Sequence, residues 1–408
     1  MRLKGKRVTV VGLGKSGAAA ARFLIKNKAK VRVTDGSEST NVLKEARTLR
    51  KLGAQVETGG HTASFVRGAD LLVTSPGVPK NSLPLETAAR EKIPVISEIE
   101  LGASFCKGTI IGVTGSNGKT TTCHLLHEIL KAAGKKSVLC GNVGHSFVGE
   151  LAKIDRKTFV VLELSSFQLE DCPRFRPKIA LILNLSANHL NRHGTMDSYA
   201  RAKEGIFRSQ RTSDRLILNA DDPIVKRMAV RAHSKVCFFS KTPLKDGAFL
   251  SDGELLVRRD GKNVYKIKTA TFGLRGDHNL ENILACAQVA ALVGVSGQDL
   301  ERTLRRFKTL EHRIEPLGRV RGVQFFNDSK STTVASTTAA IRAMRSSVVL
   351  VAGGRDKGSD FKQIEPLVRE RVKEAVLYGE SRQKIAASWK RFKKIKMERD
   401  FTRAVSLA

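Results

Sequence analysis

The stretch that most constrains this 408-residue chain is 109–133, TIIGVTGSNGKTTTCHLLHEILKAA. Ile110, Ile111 and Val113 form a short apolar, β-branched run, and Thr114, Gly115, Ser116, Asn117 and Gly118 a glycine-studded turn that leads into Lys119, Thr120 and Thr121. Leu125, Leu126, Ile129 and Leu130 then recur at helical spacing, and Gly134 stops the helix. Strand, glycine-rich turn, Lys-Thr and helix is the layout of a phosphate-binding loop. The glycines let backbone N–H groups converge on an anion, and the helix N-terminus adds about half a positive charge. Lys119 is then placed to bridge the outer phosphates and the Thr120 hydroxyl to sit on Mg²⁺. The usual pattern has a further glycine where this chain has Val113.

A chain of this length predicts two or three domains, and its 41% hydrophobic content is enough for real cores. No apolar run approaches the roughly 18–20 residues of a membrane span. The opening Met1-Arg2-Leu3-Lys4 leads into a run broken at once by Gly12 and Gly14, which reads as a first strand and not as a targeting segment. Six scattered cysteines with no CxxC suit a reducing cytoplasm and argue against a zinc ribbon or a disulfide framework. The net charge of +33 fits anionic small substrates, a nucleic acid, or a basic solvated surface. It is spread along the chain with no aromatic–basic interleaving, so nucleic acid is not the expected partner.

At the N-terminus, RVTVVGLGKSG runs a strand into Gly12-x-Gly14-x-x-Gly17, a helix over 18–27 and a strand over 30–34 that ends at Asp35. This is the dinucleotide fingerprint of a Rossmann-like unit, and its turn serves the diphosphate of any nucleotide-linked ligand, NAD included. Strands over 70–74 and 94–97 complete a parallel sheet, with a boundary near Lys107. After the phosphate loop, an apolar strand over 158–163 delivers Glu163 at its C-terminal end, where α/β sheets place ligands; a plain surface carboxylate is the alternative. A second strand over 179–185 leads to His189 and His193, which read as metal or phosphate contacts or as polar surface. Lys203, on a helix, reads by itself as a solvated charge. Residues 236–272 read as short strands with Asp-Gly turns. Asp277 is a plausible cap for the next helix, whose Asn279 and Asn282 either face a base or ribose or merely cap. Beyond 311–313, strands over 323–327 and 347–352 suggest another Rossmann-like unit that ends in a helix over 399–408 with no closing strand.

In this order VTGSNGKTT, LELSSFQLE, HN…N at 278–282, EHR at 311–313, NDSKST at 327–332 and GGRDKG at 353–358 resemble the Mur ligases, the ATP-dependent amide ligases of peptidoglycan synthesis. LELSSFQLE and the N-terminal GLGKSG are most similar to the branch that adds D-glutamate to UDP-N-acetylmuramoyl-L-alanine. The resemblance implies an α/β fold of three domains. A Rossmann-like uridine-diphosphate-binding domain would span 1–107, a central P-loop-type ATPase domain with a parallel sheet 108–312, and a Rossmann-like C-terminal domain 313–408. It also implies a cytoplasmic enzyme, expected as a monomer, that uses ATP and Mg²⁺.

Site roles follow from the same resemblance. Gly115, Asn117, Gly118, Lys119, Thr120, Thr121, Asn279, Asn282, Arg313 and Asp328 would contact ATP. Thr120, Glu163, His189 and a carbamylated Lys203 would hold Mg²⁺, with Lys119, Glu163, His189 and Lys203 forming the catalytic set. Gly14, Lys15, Ser16, Asp35, Asn142 and Ser165 would line the path of the UDP substrate, with His189 also near the muramoyl peptide. Lys330, Thr332 and Lys357 would meet the incoming glutamate. Three departures stand out. Asn188 and Asn191 replace the acidic residues of the family's DHLDRH loop; Thr333 stands where the motif after NDSK has Asn; and the chain ends before a Ser-Pro-Ala-Cys-Ala-Ser-like segment, so the third domain is expected to be incomplete.

Overall fold

Strands rich in Val, Ile and Leu bury both faces only when helices cover them, and the alternation along this chain builds such α/β layers. The computed structural model describes residues 1–408 except 189, 275, 309, 345 and 356–358, and the side chains of 190, 191, 278 and 335 are also outside it. The chain divides into two compact units. The first comprises Met1–Leu185, Ala200–Phe272 and Glu281–Arg306, and the second Ser186–Tyr199, Gly273–Leu280 and Phe307–Ala408. The expected boundary at 107 falls between two separate sheets of the first unit.

The first sheet contains β1 (Arg7–Val11), β2 (Lys30–Asp35), β3 (Gln55–Thr58), β4 (Leu71–Thr74) and β5 (Val95–Ser97), all parallel in the order β3-β2-β1-β4-β5. Val8, Val10, Leu24, Val31, Val33 and Leu49 form its core, each contributing about 1.5–3 kcal/mol by burial. Chain order reverses between β1 and β4, and the crevice at their C-terminal ends is where such a sheet takes a ligand. The helix Lys15–Lys26 starts three residues before the expected position 18, because the Gly14 carbonyl already accepts from the Ala18 amide at 2.9 Å. A Cβ on Gly17 would lie 1.8 Å from the Gly12 carbonyl oxygen, so only glycine lets this helix pack against its own turn.

The second sheet contains β6 (Thr109–Thr114), β7 (Ser137–Gly141), β8 (Phe159–Glu163), β9 (Ile179–Ile182), β10 (Arg215–Asn219), β11 (Lys235–Ser240), β12 (Gly247–Ser251), β13 (Glu254–Arg259) and β14 (Lys262–Lys268). Its order is β14-β13-β12-β11-β10-β9-β6-β8-β7. Pairing is parallel from β7 to β12 and antiparallel through β12, β13 and β14. Asp252 and Asp260 take positive φ at the two Asp-Gly turns of this meander, as tight hairpin turns require. β9 stops at Ile182, short of the expected 185, because Asn184 leaves the ladder to bind the phosphate loop. A helix, Glu98–Phe105, follows β5 and is capped by Ser97, whose side chain accepts from the Glu100 amide.

In the second unit β15 (Glu315–Val320) and β16 (Val323–Asn327) form a hairpin, while β17 (Val348–Gly353), β18 (Val372–Tyr378) and β19 (Ile395–Met397) form a parallel sheet in the order β17-β18-β19. The sequence reading passes over β3, β15, β18 and β19, and the short β19 carries no apolar run. The last helix is Phe401–Leu407, not 399–408, because the Asp400 side chain caps it by accepting from the Arg403 amide. Thr333 caps the helix Val334–Ala343 in a reciprocal box with Ser336. Asn and Thr both serve as N-caps, so this departure from the family motif keeps the local structure. Asp277 opens the helix Asp277–Leu292 as its first residue and is not the residue before it, so it is not the expected cap.

Candidate active site

The phosphate loop lies at the C-terminal end of β6, between β8 and β9. Gly118 precedes the helix Lys119–Ala132 with φ +81°, and a Cβ there would lie 2.2 Å from Asn282 Oδ1. Conformation and space therefore both demand glycine at this point. Asn282, 3% exposed, accepts from the Thr122 hydroxyl at 3.2 Å, which ties the helix Asp277–Leu292 to the first turn after the loop. Lys119 Nζ donates to the carbonyls of Gly115 and Ser116 at 2.8 and 2.9 Å. Asn184, which the sequence reading missed, clamps the loop. Its Oδ1 accepts from the Asn117 amide at 2.8 Å, its Nδ2 donates to the Asn117 carbonyl at 3.3 Å, and its own carbonyl accepts from the Ser116 amide at 2.8 Å. The signal that could have found it is the one that marks Glu163: a polar residue just past the end of an apolar strand.

Glu163 and Lys203 are the buried charges beside this loop, each 1% exposed. The reading of Lys203 as a solvated helix charge is therefore overturned, as is the surface alternative for Glu163. Register explains their placement. Val113 pairs with Glu163 across β6 and β8, and the next residue, Thr114, is fully buried. The Thr114 hydroxyl donates to the Leu164 carbonyl at 2.8 Å and accepts from Lys203 Nζ at 3.3 Å, while Lys203 Nζ also donates to the Gly115 carbonyl at 2.9 Å. Burial, with the Lys119 charge adding to it and Glu163 opposing it, pulls the Lys203 amine well below the ordinary lysine value. One Glu163 oxygen accepts from Asn142 Nδ2 at 2.8 Å, and the other is buried without a hydrogen-bond partner. An orphaned, buried carboxylate oxygen is costly unless a cation meets it. Among the described residues no three His, Cys, Asp or Glu side chains cluster as a metal site, so a cation here needs ligands of other kinds, and Thr120 lies half-buried at the start of the loop helix.

The remaining expected residues fall into three groups. Gly14, Lys15, Ser16 and Asp35 line a cleft of about 460 Å³ at the β1/β4 switch point, together with Ser75, Pro79 and His61. Asp35 is used by the glycine turn itself: its oxygens accept from the amides of Leu13 at 2.5 Å and Ser37 at 2.7 Å. Ser165 caps the helix Ser166–Glu170 in a box with Gln168, so its hydroxyl already has a structural task. In the second unit, Asp328 accepts from the Ile314 amide at 3.0 Å, Arg313 is half-buried, Lys330 and Thr332 are exposed, and Asn279 is 4% exposed. His189 and Lys357 lie outside the described residues.

Three family models match the chain: a Mur ligase MurD-like N-terminal domain over 6–97, a Mur ligase middle domain over 113–290, and a Mur ligase glutamate ligase domain over 312–408. The chain belongs to the Mur ligase family. A UDP-N-acetylmuramoylalanine–D-glutamate ligase of Koribacter versatilis is 43% identical over 392 residues, covering 96% of this chain and 86% of the relative. The Pelotomaculum thermopropionicum protein of the same name is 39% identical over 406 residues, 99% and 89% of the two chains. Among solved structures, the UDP-N-acetylmuramate–alanine ligase MurC of Thermotoga maritima superposes with a TM-score of 0.64 at 20% identity, covering 99% of this chain and 93% of its own. MurF ligase of the same organism, solved in complex with ADP, gives 0.59 at 18% identity, with 99% and 90% covered. These likenesses establish the α/β, three-domain Mur ligase fold.

Proposed function

We propose that the chain is an ATP-dependent ligase that joins D-glutamate to UDP-N-acetylmuramoyl-L-alanine in cytoplasmic peptidoglycan precursor synthesis. The observation that carries this reading is identity near 40% over almost the whole chain to enzymes of that name. A phosphate loop flanked by a buried carboxylate, Glu163, and a buried amine, Lys203, supports it. We assign residues 1–107 to the UDP end of the substrate, 108–312 to ATP and 313–408 to the amino acid. Among the described residues no helix is long and apolar enough to cross a membrane.

A carboxylate is a poor acyl donor. Its oxygen attacks the γ-phosphorus of ATP, ADP leaves, and the resulting acyl phosphate is opened by the glutamate amine, which releases phosphate and forms the amide. Lys119, once turned from the loop carbonyls to phosphoryl oxygens, offsets the charge that develops there. Gly115, Asn117, Gly118, Thr120 and Thr121 present the loop to ATP, with Asn279, Asn282, Arg313 and Asp328 assigned to the rest of the nucleotide. The orphaned Glu163 oxygen fits a cation. Glu163, Thr120, His189 and carbamylated Lys203 would hold Mg²⁺, which when bound neutralises phosphoryl charge. The lowered Lys203 pKa favours the neutral amine, whose lone pair adds to CO₂ with loss of a proton and gives a carbamate. Asn142 orients Glu163 and, with Ser165, faces the substrate path, while Lys330, Thr332 and Lys357 receive the glutamate.

Incubation with ATP, Mg²⁺, UDP-N-acetylmuramoyl-L-alanine and labelled glutamate tests the reading. Label is expected in the UDP-sugar product with the D-isomer only. Equal incorporation of the L-isomer, or incorporation of another amino acid in its place, would overturn it.

A further inference from the structure

The cleft of the first unit has two chemically distinct ends. At one, Gly14, Lys15 and Ser16 open the helix Lys15–Lys26 and offer amides and a cation suited to a diphosphate. At the other stand Asp35, Gly36 and His61. Each Asp35 oxygen already accepts from one backbone amide, and His61 is a second side chain at this end that can read a ligand. Its ring is held from behind, Nδ1 lying 2.6 Å from the hydroxyl of fully buried Thr34. The opposite tip is bare: a Cβ on Gly36 would lie 3.3 Å from Nε2 and 3.9 and 4.0 Å from the two flanking ring carbons. The imidazole therefore points Nε2 at the space that a side chain at position 36 would fill. Among the described residues Nε2 has no protein partner, and the absence of a side chain at Gly36 keeps it open.

The geometry points to His61 Nε2 as the group that recognises the nucleobase of the UDP substrate, with Gly36 left bare to admit that base. This rests on the reading of the cleft as the uridine-diphosphate site. The edge of uracil alternates carbonyl acceptors with an imide N–H. Imidazole Nε2 meets either, as N–H donor or as lone-pair acceptor, according to which way the Thr34 hydroxyl is turned. The fixed ring makes the contact selective for a base at that position and indifferent to the phosphates.

Calorimetric binding of UDP and of pyrophosphate to the full chain tests the assignment. His61→Phe keeps a ring but removes Nε2, and Gly36→Ala covers Nε2 with a methyl group. Each is expected to weaken UDP about tenfold, the scale of one lost buried hydrogen bond, and to leave pyrophosphate binding as in the unmodified chain. That retained binding also shows the cleft to be folded. UDP binding unchanged in His61→Phe, or an equal loss of UDP and pyrophosphate, would overturn the assignment while leaving the ligase reading intact. Failure of the unmodified chain to bind UDP would remove both the uridine site and the role of His61.

Discussion

A lysine amine that is 1% exposed, held by a carbonyl and a hydroxyl, is an expensive thing to bury. Burial, with the Lys119 charge adding to it, favours the neutral form of this amine, the form that the proposed carbamylation requires. Lys203→Met keeps much of the volume and removes the polar head. It should lower D-glutamate-dependent phosphate release by at least about 100-fold, on the scale of one lost electrostatic group. It should also lower stability by about 1–3 kcal/mol, because buried Glu163 and the Gly115 carbonyl lose the amine that faces them. Steady-state kinetics and denaturant unfolding measure the two effects, and an active Met variant would remove Lys203 from the catalytic set. The position of Lys119 and Thr120 at a helix start was legible in the sequence, because an apolar strand and a glycine-studded turn lead into them. The burial of Lys203 was not. Helical spacing does not say which face of the helix Met196–Glu204 meets the sheet, and only the approach of Thr114 and Gly115 decides it.

At the scale of elements, the helix Glu98–Phe105 carries a second buried acid with a consequence for pH. One Glu98 oxygen accepts from the Val148 amide at 2.7 Å, and the other has no hydrogen-bond partner. Burial pushes the Glu98 carboxyl from its ordinary 4.5 up to about 7, against the opposing pull of the Val148 and Phe147 amides. The folded chain thus binds a proton that the unfolded chain releases between these values. The stability that this proton provides is full below pH 4.5 and is lost as pH rises from there through about 7, a change of roughly 3 kcal/mol. Glu98→Gln should flatten that part of the profile. Urea unfolding from pH 5 to 8 measures both, and a flat profile in the unmodified chain would contradict the burial argument. Nothing in the sequence separates Glu98 from Glu100 or from a surface carboxylate. The strands that the sequence reading names, by contrast, lie within a few residues of their β-branched runs, while β3, β15 and β18 went unread, and misplacements came where side chains compete with the backbone: Asn184 at the end of β9, Asp400 before the last helix. The exposed, basic β19 has no such run, and it forms only because β18 offers an edge, the Ala375 amide donating to Lys394.

For the whole molecule, the order of motifs along the chain carried the fold class and the family, since three sheets of alternating strands and helices follow from periodicity and the phosphate loop fixes where the second begins. The sequence could not show which buried groups meet. The Asn142–Glu163 contact, the Asn184 clamp and the His61–Thr34 pair all join residues more than 20 positions apart. The central claim is that one chain couples ATP cleavage to amide formation with D-glutamate. Phosphate release from ATP in the presence of UDP-N-acetylmuramoyl-L-alanine, followed with and without D-glutamate, tests it most directly. Release that requires both substrates, one phosphate per amide formed, is the predicted result; release independent of the sugar nucleotide, or none while both nucleotides bind, would contradict it.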